Sequence, residues 1–269
     1  MSTIKPLSRQ AFNSVTALFH SVSGIRLGPG KEALVTGRLQ RMAQEAGESD
    51  LERYVAHLLS GSAHATEMAK LIDRLTTNET YFFREPQHFH DLAQRVEAAD
   101  PASEFRIWSA ASSSGEEAYS AAMVLADLRG GAPWRVYGTD LSASMVENAS
   151  RALFSMERAR MVPPEYLKAY CLKGQREHAG SLLIARALRE RVHFAPANLM
   201  QPLPDLPMFD VIFLRNVLIY FENDAKAEIV RRVLGRLKPD GVLYTGHAES
   251  LSMMNLPLRT LGTAIHGHG

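Results

Sequence analysis

The chain has 269 residues, of which 46% are hydrophobic and 22% charged, a size and balance that fit one large globular domain or two smaller ones. A net charge of +1 argues against a global electrostatic pull toward nucleic acid or an anionic membrane. The single cysteine, Cys171, leaves no internal disulfide, and neither a bilayer-length apolar run nor a signal-peptide core is visible, so a cytoplasmic protein without membrane insertion is expected; a monomer is expected as well.

Residues 1–90 carry helical periodicity. Phe12, Val15, Phe19 and Val22 form one stripe, which Gly24 ends. Gly30 precedes a second helix with Val35, Leu39 and Met42 inward. Ser49 and Asp50 offer caps to a third, which turns Leu51, Tyr54, Val55 and Leu58 inward. Met68, Leu71, Ile72 and Leu75 mark a fourth. The end of this region, LTTNETYFFREPQHF (75–89), joins a polar run to the triplet Tyr81, Phe82, Phe83 and then to Arg84, Glu85 and Pro86. Pro86 presets the first turn of another helix. Arg84 therefore stands just before a helix start, where its fork can meet a carboxylate.

From residue 91 to 269 the pattern becomes alternating. FRIWSA (105–110), RVYGTD (135–140), RVHFAPAN (191–198), FDVIFLRN (209–216), GVLYTGHA (241–248) and LRTLGTAI (258–265) read as strands. Helical patterns lie at 116–130, 142–154 and 223–239. Such alternation predicts an α/β fold with a largely parallel sheet covered on both faces. The last two strands, with no helix of normal length between them, are expected to pair antiparallel at one edge. Residues 155–190 interrupt the alternation and predict an inserted antiparallel subdomain. The terminal HGHG, with His266 and His268, reads as a loose tail. The ten histidines show no metal-ligand spacing, so no metal is expected.

Ligands of doubly wound sheets sit at the carboxyl ends of the strands. After the first strand, residues 109–115 are all small, so a ligand can approach the backbone. Glu116 and Glu117 then open a helix. They would repel a pyrophosphate but suit the sulfonium and ammonium of S-adenosylmethionine. One of the two is expected only to complement the helix N-terminus. Asp140, at the end of the second strand, is placed for ribose hydroxyls and can also cap the next helix. Asn198 can read an adenine edge. Arg215 and Asn216 end the fourth strand.

The opening segment together with WSAASSSGEEAYS, YGTDLS, NLMQPLP, FDVIFLRNVLIYF and LKPDGVLYTGHAES resembles the CheR family of chemotaxis receptor glutamate methyltransferases, over most of residues 7–265. The resemblance implies a class I S-adenosylmethionine-dependent methyltransferase domain (Rossmann-like, mostly parallel sheet), a small all-α N-terminal domain for receptor docking, and the inserted antiparallel β subdomain. It implies that Asn78, Thr80, Arg84, Glu117, Asp140, Asn198, Leu199, Arg215 and Asn216 line the cofactor site, with Tyr220 near the transferring methyl. Arg84 and Tyr220 are then the expected catalytic residues, and S-adenosylhomocysteine the product. Partners implied are the cytoplasmic domains of methyl-accepting chemoreceptors, and in some members a receptor C-terminal peptide held by the insertion. The turn GQREHAG here has less glycine than in those members. Lys31, Arg38 and Arg41 fall along one side of the second helix and are expected to steer acidic receptor bundles. The alternatives are a non-catalytic S-adenosylmethionine-binding signalling module and a methyltransferase for another substrate. Nucleic-acid amino methyltransferases place a proline pair after the fourth strand, where this chain reads RNVLIYF.

Overall fold

The Ser8 hydroxyl accepts the Ala11 N–H at 3.2 Å and starts α1 (Arg9–Ser23). Gly24 stops that helix in the left-handed region at φ 73°, returning its N–H to the His20 carbonyl. A computed structural model describes residues 7–60, 65–252 and 254–269. In it α2 (Glu32–Glu45), α3 (Leu51–Leu59) and α4 (Ala65–Leu75) follow. Asp50 caps α3, accepting the Glu52 N–H at 2.9 Å. The stripes bury Val15, Phe19, Val35, Leu39, Val55, Leu58, Leu71 and Leu75, as a 3.6-residue period requires. These helices, through Thr77, form one compact unit with Tyr220–Ala225; residues Asn78–Ile219 and Lys226–Gly269 form the other.

The boundary thus falls at Thr77/Asn78, upstream of the position near residue 90 expected from the sequence. Two of the three residues of the aromatic triplet are core material of the second unit, while Tyr81 is exposed. Phe82 and Phe83 are buried with Phe89 and Leu92 of α5 (Pro86–Ala98), and Phe82 meets Phe154 edge-on at 5.0 Å.

The second unit continues with β1 (Phe105–Ser109), α6 (Glu116–Arg129), β2 (Trp134–Asp140), α7 (Ala143–Arg151), β3 (Leu153–Ser155), α8 (Pro164–Tyr170), β4 (Cys171–Lys173), β5 (Ser181–Ile184), α9 (Arg186–Arg189), β6 (Val192–Pro196), β7 (Phe209–Leu214), α10 (Asn223–Leu234), β8 (Leu237–Thr245), β9 (Leu258–Gly262) and β10 (Ile265–His268). Seven strands form one sheet in the order β6-β2-β1-β7-β8-β10-β9. The first five are mutually parallel, and β10 runs antiparallel to both neighbours. The chain winds outward from β1 to β6, then crosses to β7, so the switch point lies between β1 and β7. Ile107, Val136, Val211, Phe213, Val242 and Tyr244 enter one core with α5 and α6. Trp108, Ile212, Leu214 and Leu243, of the opposite parity, are also buried, so both faces are covered. The insertion is a three-stranded antiparallel sheet in the order β3-β5-β4.

Several boundaries differ from the sequence reading. The helix expected over 142–154 stops at Arg151, because Ala152 turns left-handed at φ 55° and releases Phe154 into β3. The helix expected to reach Pro239 stops at Leu234; Leu237 to Gly241 already belong to β8, whose pairing with β7 shifts register there. Pro239 has no N–H to give a ladder, and a bulge tolerates that. Residues 258–265 are a hairpin rather than one strand, and the expected loose tail is β10, with His266 opposite Thr260 and Leu243. The two strands expected to pair directly are therefore separated by β10 along most of their length.

Candidate active site

Between β1 and α6 the backbone makes a tight reversal. Gly115 sits at φ 98°, and a Cβ there would lie 2.9 Å from the Ala149 Cβ, so glycine is required both for conformation and for space. Ser113 is also left-handed at φ 48°. Its N–H donates to Asp140 Oδ2 at 2.8 Å, while the Ser142 N–H donates to Asp140 Oδ1 at 2.9 Å. Asp140 therefore shapes this loop and orders the start of α7, with Ser142 itself capping that helix. The Ser113 hydroxyl donates to the Asn78 carbonyl at 3.1 Å, which joins the linker to the same loop.

Arg215, at the end of β7, is the hub on the other side of β1. Its side chain is 1% exposed and forks between two carboxylates, with Nη1 3.0 Å from Glu117 Oε2 and Nη2 3.1 Å from Glu85 Oε2. Nη2 also donates to the Arg84 carbonyl. The Ser109 hydroxyl donates to Glu117 Oε1 at 2.7 Å. Burial raises the pKa of Glu117, and Arg215 and Ser109 oppose that rise without cancelling it. At Glu85 burial also works upward, but the charge and hydrogen bond of Arg215 outweigh it and the pKa is lowered. Asn216, held left-handed at φ 56°, donates its N–H to Glu249 Oε2 at 2.7 Å, and the Gly246 N–H reaches the same oxygen at 2.7 Å. Buried Glu249 thus ties the end of β7 to the end of β8.

The two glutamates that open α6 have separate fates. Glu116 is fully buried, held by Arg158 Nε at 2.8 Å and by the Ser114 hydroxyl at 2.7 Å. Its environment is closed by protein groups, whereas Glu117 belongs to the Arg215 network. Arg158 also donates to the Thr80 carbonyl at 3.2 Å. Arg84, half-buried, does not fork onto a carboxylate: its Nη1 donates to the Glu79 carbonyl at 3.1 Å and its guanidinium lies 5.6 Å over the Tyr81 ring. Asn198 follows β6 and turns its own loop, accepting the Met200 N–H at 2.9 Å; Leu199 beside it is buried, and its carbonyl accepts from Arg232.

Tyr220 ends a short 3-10 turn after β7 and groups with the helical unit, where its carbonyl accepts the Arg26 N–H at 3.1 Å. Of the three expected docking cations, Lys31 and Arg41 are exposed. Arg38 is occupied: its Nη1 donates to the carbonyls of Leu75 at 3.1 Å and Thr76 at 2.9 Å, closing the end of α4.

Two family models cover the chain: the all-alpha domain of CheR methyltransferases over residues 10–76 and their SAM binding domain over residues 78–265. The chain belongs to the CheR family. It is 38% identical over 263 residues to the chemotaxis protein methyltransferase of Escherichia coli (strain K12), spanning 97% of this chain and 91% of that protein. The Salmonella typhimurium chemotaxis protein methyltransferase is 36% identical over 249 residues, spanning 91% of this chain and 85% of that protein. Chemotaxis protein methyltransferase 1 of Pseudomonas aeruginosa is 36% identical over 260 residues, spanning 91% of each. The fold is accordingly that of class I S-adenosylmethionine-dependent methyltransferases, with the all-α unit before it and the small antiparallel sheet inserted. Among the described residues no helix is long and apolar enough to cross a membrane.

Sequence reasoning about this CheR chain missed four side chains that organise the site. Glu85 immediately precedes α5, His88 lies in its first turn, and His247 and Glu249 follow β8. His88 is buried, and desolvation with nearby Arg215 pushes its pKa down to about 4. The only signal was that Glu85 and His88 fall in the quoted opening segment and His247 and Glu249 in the quoted GHAES run. Their link to Arg215 and Asn216 spans more than a hundred residues for Glu85 and about thirty for Glu249.

Proposed function

We propose that this CheR-family methyltransferase transfers a methyl group from S-adenosylmethionine to glutamate side-chain carboxylates of chemoreceptors, leaving glutamyl methyl esters and S-adenosylhomocysteine. The observation that carries the reading is the near full-length likeness to chemotaxis protein methyltransferases, together with the gathering of acidic and amide groups at the strand ends around β1. These residues fit the cofactor. The loop after β1 carries no phosphate-binding glycine pattern, its helix opens with two glutamates, and the Gly115 turn leaves backbone close at hand. When bound, S-adenosylmethionine supplies a methyl group on a positively charged sulfur.

The chain's own contribution is placement. Asp140, ordered by two backbone N–H groups, accepts ribose hydroxyls. Glu117 presents negative charge to the cationic amino acid portion. Asn198 and Leu199 hold the base, one by its polar edge and the other by apolar contact. Asn78, Thr80, Arg215 and Asn216 line the rest. A glutamate substrate is already ionised near neutral pH, so no general base is required, and alignment and water exclusion supply the rate. Arg84 holds a carboxylate in its fork, and Tyr220 donates to the substrate carboxylate. Lys31 and Arg41 steer acidic receptor bundles. The insertion, with its open β3 and β4 edges, is where a receptor C-terminal peptide would add as a strand. The enzyme acts as a monomer in the cytoplasm, and its turnover requires neither metal nor nucleic acid. Turnover with methyl-labelled cofactor and receptor-bearing membranes tests this: alkali-labile label on receptors is expected, and its absence with intact cofactor binding would overturn methyl transfer to receptor glutamates.

A further inference from the structure

Glu85, left-handed at φ 57°, precedes α5, His88 lies in the first turn of that helix, and His247 reaches them from the loop after β8. One donor atom from each lies within 4.8 Å of the other two. Glu85 Oε2 is 3.5 Å from His88 Nδ1 and 3.9 Å from His247 Nε2. The His88 side chain is only 1% exposed, and its Nδ1 has no hydrogen-bond partner among the described residues. Its ring is fixed, stacked at 4.9 Å on Tyr244, with His247 edge-on at 5.3 Å; the backbone of Thr263 gives it a weak polar contact. We propose that Glu85, His88 and His247 form a binding site for a divalent transition ion of the zinc class.

The donor set decides the class. Two imidazoles and one carboxylate suit zinc, cobalt or nickel, whereas magnesium and calcium prefer all-oxygen shells. Ligands about 2.1 Å from a tetrahedral ion lie about 3.4 Å from each other, so the 3.5 Å pair already fits and the 3.9 Å pair needs a small closure. His247 is 40% exposed and lines an open cavity of about 440 Å³ beside Glu249 and Ser252, which gives an ion its entry path. A solvent molecule completes the shell.

Arg215 opposes such an ion, because its Nη2 already lies 3.1 Å from the same Glu85 oxygen and must give it up. Arg215 faces both Glu85 and Glu117, so two carboxylates share one guanidinium. An ion that takes Glu85 leaves Arg215 to Glu117 and the Arg84 carbonyl. Occupancy therefore disturbs the end of β7 and lowers affinity for the nucleoside cofactor, a consequence that rests on the proposed function.

The test uses the full chain, stripped with chelator and titrated with zinc, cobalt or magnesium against a chromogenic zinc chelator. One zinc per chain is expected, with no magnesium binding at the same concentrations. His247→Ala, at a partly exposed position, should weaken zinc at least tenfold while circular dichroism stays unchanged, and should abolish the cobalt ligand-field bands of the wild type. Failure of wild type to bind zinc stoichiometrically, or equal binding by His247→Ala, overturns the site. These measurements need neither cofactor nor receptor, so their failure is distinct from a failure of methyl transfer. Calorimetry of S-adenosylhomocysteine with and without zinc reads the coupling: weaker binding with zinc in wild type only supports it, and equal binding overturns it.

Discussion

Arg158 Nε lies 2.8 Å from Glu116 Oε1, so a residue of the inserted segment neutralises a carboxylate that has no exposed surface at the start of α6. The same guanidinium donates to the Thr80 carbonyl. The insertion is thereby fastened to both the loop after β1 and the linker that crosses it.

Arg158→Ala should destabilise the protein by about 1–3 kcal/mol, less than for a wholly buried pair because the Arg158 end is partly solvated. Burial raises the pKa of Glu116 even with Arg158 and Ser114 opposing it. A carboxyl with a raised folded pKa keeps its proton in the fold at a pH where the unfolded chain has lost it, so its ionisation is a cost that appears as pH rises. Removing Arg158 enlarges that cost. The penalty should be full above the raised pKa and shrink as pH falls through it. Thermal melts of both proteins across this range check the sign, and Glu116→Gln in the Arg158→Ala background should restore stability at neutral pH. A pH-independent penalty would show that the pair is not electrostatic.

Asp140→Asn should lower affinity for S-adenosylhomocysteine roughly tenfold or more, the scale of one or two charge-assisted hydrogen bonds. The amide would also turn a donor toward the Ser113 or Ser142 N–H, each now within 2.9 Å of a carboxylate oxygen. Isothermal titration calorimetry measures this; wild-type affinity would remove Asp140 from ligand binding.

Arg84 and Arg215 should separate cleanly. Arg215→Lys replaces a fork by a point charge and leaves one of Glu85 and Glu117 unpaired, so it should cost about 2–4 kcal/mol of stability. Arg84→Ala removes a bond to its own loop, a contact with Tyr81 and a minor electrostatic contribution to Glu117. It should melt within a few degrees of wild type yet lose most turnover. Paired melting and methylation assays check both, and full turnover by Arg84→Lys would exclude a bidentate role.

The helical unit offers a parallel contrast. Arg38→Ala frees the carbonyls of Leu75 and Thr76 and should cost about 1–2 kcal/mol. Arg41→Glu should leave stability nearly unchanged but slow receptor methylation at low salt, with the difference fading as salt rises. An equal deficit at every ionic strength would exclude steering by Arg41.

Periodicity carried much of this architecture. Phe12, Val15 and Phe19 announce α1, and the small residues after Ser109 announce a ligand-approachable turn, because both depend on neighbours within a few positions. Ala152 was not legible: alanine has no particular preference for φ 55°, and only the pairing of Phe154 with Leu182 demands it. The Glu85–Arg215 and Arg158–Glu116 pairs join distant segments, so spacing along the chain says nothing of them. The tail HGHG lacks apolar alternation, and its place in the sheet is set by backbone pairing rather than by side chains.

That placement of β10 has a consequence for the order in which the chain assembles. β9 is made before β10 but touches the sheet only through it, since β10 lies between β8 and β9. While a ribosome still holds residues 265–268, β9 has no edge to join, and Tyr244 and Leu243 lack their partners in Ile265 and His266. The five parallel strands can gather earlier, but the edge must wait, and until then β8 is an open border exposed to neighbouring nascent chains.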